Sequence, residues 1–373
     1  MIAGLKRRFI ENIKNIPGWK SKKKYLIIES DDWGSLQIID KDHSDRLINL
    51  GLLKVSSDPI ASLDGMEFPE DFELLYDTLS TVKDSQGKHA VFTPFINTGN
   101  PDFQKIIESD GSKLYYERFT DTYKKFGRNE NEKLLTQGVD SNIFLPQLHG
   151  HGHVCDWVWF ESLLNSDKAK LGIHNNFASV TLENQIRVLN GLRPTYFLRN
   201  QEDLEKAKNS LESAVKEFEE IIGYKATVFD APNAIFHPKL EAHLSKFGIQ
   251  TIVTPFYRNE PDLNGNVKKN GRYNFGQKNE SGQLYHIRNC MFEPYKGTKA
   301  ETTLRMIDTC FRWGKPAVIS THRVNYVSSV SKNVRDNTLQ ELKKILSTVI
   351  KHHPDVQFIS SGELSTIMHQ EIK

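Results

Sequence analysis

Short apolar runs and longer amphipathic stretches alternate along most of the chain. The runs at 25–30, 90–95, 143–148, 226–229, 251–254, 284–288, 317–321 and 356–359 have the length and β-branched content of buried strands. Between them, 72–82, 203–222, 239–247, 302–313 and 338–350 repeat apolar residues at helical spacing. In 203–222, Leu204, Ala207, Leu211, Val215, Phe218 and Ile222 recur every three or four positions, which predicts one long helix docked by a single stripe. Alternation of strand and helix predicts an α/β protein with a parallel sheet, doubly wound or closed. Eight runs favour a (β/α) barrel.

Ahead of the first run, residues 5–16 set Leu5, Phe9, Ile10, Ile13 and Ile16 on one helical face. The first 24 residues carry eight basic side chains and one acid, Glu11. One reading is contact of residues 1–24 with an anionic membrane surface. The simpler expectation is a helix docked on the domain by its apolar face, with a solvated basic face. The expected organisation is therefore a basic amphipathic helix at 1–23 and one barrel domain at 24–373. Residues 97–142 read as an insertion of short helices. The polar, Gly- and Asn-rich residues 259–282 read as a long irregular excursion.

Composition narrows the class. The chain has 373 residues, 38% of them hydrophobic and 26% charged, enough to bury a sizeable core and too apolar for global disorder. Its 49 Lys and Arg nearly balance 47 Asp and Glu, so nothing global points to nucleic acid. No run approaches the roughly 18 apolar residues of a membrane span. The N-terminus lacks the apolar core of a secretory signal, which predicts a cytoplasmic protein. Three cysteines (Cys155, Cys290 and Cys310) with no CxxC pair suit reduced thiols. Oligomeric state is not legible.

Chemistry collects where the strands are expected to end, the side on which parallel α/β folds place their sites. The first run leads into Asp31-Asp32-Trp33-Gly34 and the third into His149-Gly150-His151-Gly152-His153. The fourth leads into Asp230-Ala231-Pro232-Asn233 and the seventh into His322-Arg323. His149 and His153 stand at i and i+4, with glycines that let the backbone turn so that two imidazoles meet one cation. Two adjacent carboxylates point to different sides, so one can bind a metal while the other acts as a general base. Imidazole with carboxylate suits Zn2+, or Co2+, Ni2+ or Fe2+ in the same geometry.

These motifs resemble the polysaccharide deacetylase family, carbohydrate esterase family 4, in an ordered series spanning residues 24–362. Asp31-Asp32 matches its Asp-Asp motif, His149 and His153 its His-x-x-x-His motif, and Ser320-Thr321-His322 its late strand ending in histidine. The resemblance implies a deformed (β/α)7–8 barrel and metal-dependent removal of an N- or O-acetyl group from a sugar, oligosaccharide or polysaccharide. It implies Asp32, His149 and His153 as metal ligands, Asp31 as the base and His322 as the acid. Trp33, Asp230, Asn233 and Arg288 are the expected substrate-binding residues. Two motifs depart. Where the family's third motif opens with Arg, this chain has Asp230, and the family's Asp-Trp fourth motif is absent. Arg288 and Arg323 are candidates to supply the missing cation, Arg288 preferred because it would end a barrel strand. Two other readings remain open. One is an amidohydrolase-type metal hydrolase, although its His-x-His is expected at the first strand. The other is a non-catalytic carbohydrate-binding relative of the same fold.

Overall fold

A computed structural model describes residues 9–55, 60–182 and 192–372. Eight parallel strands form one path in the order β10-β7-β6-β5-β2-β1-β12-β11. They are β1 (Tyr25–Trp33), β2 (Phe92–Asn97), β5 (Gln147–Gly150), β6 (Val228–Asp230), β7 (Thr251–Thr254), β10 (Leu284–Ile287), β11 (Cys290–Met291) and β12 (Ala317–His322). The short β13 (Gln357–Phe358) pairs with the beginning of β1. Two antiparallel hairpins lie outside this sheet: β3 (Gly99–Pro101) with β4 (Tyr116–Arg118), and β8 (Tyr257–Pro261) with β9 (Val267–Arg272).

The strands form because their side chains are buried on both faces, as β1 is over all nine residues. Helices Pro69–Ser80, Gln201–Ile222, Pro238–Ser245, Ala300–Arg312 and Lys332–His352 coincide with the five helical patterns. The longest starts at Asn200, whose side chain accepts from Asp203 N, and stops at left-handed Gly223. The architecture is a deformed (β/α) barrel in a single domain. Its two edge strands, β10 and β11, are separated in sequence by Arg288 and Asn289 alone. The sheet thus curls back on itself, and the last gap is spanned by covalent chain rather than a ladder.

Two expectations are corrected. Residues 259–282 are not irregular throughout, because 257–272 form the β8–β9 hairpin. Its inward residues are charged: Arg258, 1% exposed, pairs with Glu241 and Glu260. Nor does the N-terminal helix dock by its apolar face. Residues 5–8 lie outside the described residues, and 9–14 are helical with Phe9, Ile10 and Ile13 exposed. Polar side chains make the attachment instead. Glu11 pairs with Arg305, and Asn12 accepts from Trp313 Nε1 at 2.9 Å.

Candidate active site

At the end of β1, Asp32 has φ +74, a left-handed conformation uncommon for any residue but glycine. The turn sends Asp31 and Asp32 to different partners. Beyond β5 the chain turns through Gly150 at φ +134, where an added Cβ would lie 2.3 Å from Tyr196 Oη. That turn carries His149 and His153 onto Asp32. Their Nε2 atoms lie 3.5 and 2.8 Å from Asp32 Oδ1. His151 turns away, its ring 4.5 Å from that of Tyr116 and its Nε2 3.3 Å from Glu217.

Ligand atoms of Asp32, His149 and His153 all fall within 4.8 Å of one another. His149 Nδ1 faces the carbonyl oxygen of Asp230 at 2.8 Å, which assigns the proton to Nδ1 and leaves a lone pair on Nε2. Burial pushes the Asp32 carboxyl up, but His153 and His149 outweigh it and hold the group well below the usual carboxylate range. One carboxylate oxygen and two imidazole nitrogens, buried and converging, fit a divalent ion that takes mixed N/O ligands.

Asp31, His149 and Asp230 also converge within 4.8 Å, but an arginine already meets their charge. Arg288, in the gap between β10 and β11, grips Asp31 with both Nη atoms at 2.5 and 2.6 Å. Its Nε reaches Glu29 at 2.7 Å, and Nη2 lies 3.4 Å from Asp230. Glu29 is held in turn by Ser361 Oγ at 2.5 Å and His286 Nε2 at 2.8 Å. Three buried carboxylates around one guanidinium cannot share its charge equally. Burial raises the Asp31 carboxyl, but Arg288 outweighs it and keeps Asp31 ionised. Asp230 goes the other way. Burial, with the Asp31 and Glu29 carboxylates, drives it well above the ordinary range despite Arg288. The charge reversal at the third motif is thereby absorbed. Arg288 binds Asp31 and lies against Asp230, and both Arg288 and Asp230 also line the site's cavity. The alternative cation, Arg323, is buried elsewhere on Asp64 and Glu67.

Across the cavity, His322 ends β12 beside Asp31 in register, with Nε2 3.8 Å from Asp31 Oδ2. Its Nδ1 lies 2.6 Å from Glu293, whose other oxygen accepts from Asn325 Nδ2 at 2.7 Å. Burial alone would push the imidazolium down, but Glu293, with Asp32 and Asp31, takes it up to about 10. Glu293 escaped the sequence reading because β11, the strand before it, is two residues long. A polar residue just past an apolar run was the available signal.

Asp31, Asp32, His149, His153, Asp230, Arg288 and His322 line one cavity of about 770 Å3. Asn233 lines it too, in a left-handed conformation at φ +58. Trp33 does not. Its indole is 2% exposed, packs among Phe72, Phe92, Phe144 and Tyr326, and donates to Ser30 Oγ at 2.9 Å. It is a core residue because the left-handed turn at Asp32 folds the next side chain inward.

No family model and no curated protein matches the chain. Solved structures do match. A peptidoglycan deacetylase from Bacillus subtilis is 8% identical, with 94% of each chain covered and a TM-score of 0.39. An allantoinase is 9% identical over 95% of this chain and 93% of its own, TM-score 0.47. A CE4 family pseudoenzyme from Bacillus anthracis is 11% identical over 92% and 66%, TM-score 0.35. Deacetylases of glycans are among its structural neighbours. Among the described residues no helix is long and apolar enough to cross a membrane.

Proposed function

We propose that the chain is a metal-dependent hydrolase that removes an acetyl group, N- or O-linked, from a sugar or glycan. One observation carries the reading. A three-residue N/O ligand set, an ionised carboxylate and a carboxylate-paired imidazole open into one cavity. A divalent ion held by Asp32, His149 and His153, Zn2+ or a metal of similar preference, would polarise the acetyl carbonyl and acidify a water. Asp31, kept ionised by Arg288, takes the proton of the attacking water. His322, kept protonated by Glu293, donates from Nε2 to the departing sugar nitrogen or oxygen. Arg288 leaves both Asp31 oxygens with a free lone-pair direction, so orientation and proton acceptance are compatible.

The test is acetate release from a panel of acetylated sugars by zinc- or cobalt-loaded protein. Asp31→Asn should lower kcat by at least about a hundredfold while metal binding persists, the scale of losing general base catalysis. Equal turnover by Asp31→Asn would remove the assigned base. Sugar binding without release of acetate by any loaded form would favour a binding protein.

A further inference from the structure

The N-terminal helix presents the wrong face for a docked element. Phe9, Ile10, Ile13 and Ile16 are 67%, 40%, 38% and 45% exposed, while Glu11, Asn12 and Asn15 bond inward to Arg305, Trp313 and Asn289. An apolar face turned out, on a helix anchored by its polar side, is the reverse of ordinary packing.

That face adjoins the cavity. Ile10 and Lys14 line it together with Met291 and Phe256. Met291 and Tyr257 are themselves 53% and 48% exposed. Lys14 Nζ stands 5.6 Å over the Phe256 ring, which Arg272 also covers at 4.6 Å, and Lys269 stands 5.0 Å over Tyr257. The rim is thus apolar at its centre and carries exposed cations, Lys14 at the cavity and Lys268, Lys269 and Arg272 on β9. Glu11 and Glu260 do not offset them, since each is paired with an arginine, Arg305 and Arg258. Apolar side chains ringed by lysine and arginine complement the headgroup and acyl boundary of an anionic bilayer.

We propose that this rim docks on an anionic lipid bilayer, so that the cavity receives a glycan carried on a membrane lipid. The docking stands on the surface alone, whereas the substrate class rests on the deacetylase reading.

The experiment is co-sedimentation of the full chain with phosphatidylcholine vesicles, with and without phosphatidylglycerol. Wild type should sediment with the anionic vesicles and be released by salt. Phe9→Ser/Ile13→Ser/Ile16→Ser and, separately, Lys268→Glu/Lys269→Glu/Arg272→Glu should each weaken the association about tenfold or more. Both variants should release acetate from a soluble sugar at the wild-type rate, which shows that they fold. Wild type that stays in the supernatant, or variants that sediment equally, overturns the docking. A wild-type dimer dissociated by the triple serine variant would make the rim an interface between copies, and also overturns it. Vesicle association without acetate release by any form keeps the docking and removes the substrate assignment.

Discussion

Arg288 ranks the carboxylates around it by geometry rather than by charge alone. A bidentate grip on Asp31, a single bond to Glu29 and a longer contact to Asp230 rank the three carboxylates, and the last-ranked one is the one whose pKa is raised. Arg288→Ala would strip buried Asp31 of its bidentate partner and leave Glu29 with Ser361 and His286 only. We expect a loss of about 3–5 kcal/mol in urea unfolding, the usual penalty for breaking a buried pair from one side. His322 gives a pH prediction of defined sign. Its folded value, about 10, lies above the ordinary 6.5. Its pairing with Glu293 therefore contributes stability that is whole below about pH 6.5 and is lost as pH rises through 10. In metal-free protein, NMR titration of the His322 ring should show that high value, and Glu293→Gln should lower it. An ordinary value in wild type would contradict the pairing. Asp31, Asp32, His149, His153 and His322 were legible because each follows an apolar run. Glu29 was hidden inside such a run, where sequence gives no reason to expect a paired acid.

At the scale of elements, hydrophobic period found the sheet and the long helices but not the β8–β9 hairpin. The buried positions of β8 are Arg258, Glu260 and Pro261, so its alternating inward face is charged and carries no apolar signal. The N-terminal helix failed for the complementary reason. Periodicity reports that a face is apolar, not whether protein covers it. The turn after β5 is a third case, visible in the glycines of residues 149–153 but not in its direction. Gly150→Ala would force a Cβ against Tyr196 and swing both histidines. Calorimetric titration should show zinc affinity falling about tenfold to a hundredfold, with a stability loss of about 1–3 kcal/mol. Unchanged zinc affinity would mean that the turn does not set the site.

Over the whole molecule, the single domain and seven of the eight path strands were legible; β11 was not, the run at 356–359 forms β13 off that path, and the manner of closure was hidden. A barrel closed by hydrogen bonds on all sides would leave no place for a charged side chain between strands. Here the ladder stops at β10 and β11, and the two residues bridging them put Arg288 beside the ends of β1 and β6. The gap in the sheet is what supplies the cation that residue 230 lacks. The proposed chemistry converges on the Asp32, His149 and His153 ligand set beside it. The most direct test is metal content of the purified, zinc-reconstituted protein by mass spectrometry, with His149→Ala/His153→Ala in parallel. Wild type should hold about one ion per chain and the double variant none. Wild type that takes up no metal, or a double variant that retains it, would contradict the site and the hydrolase built on it.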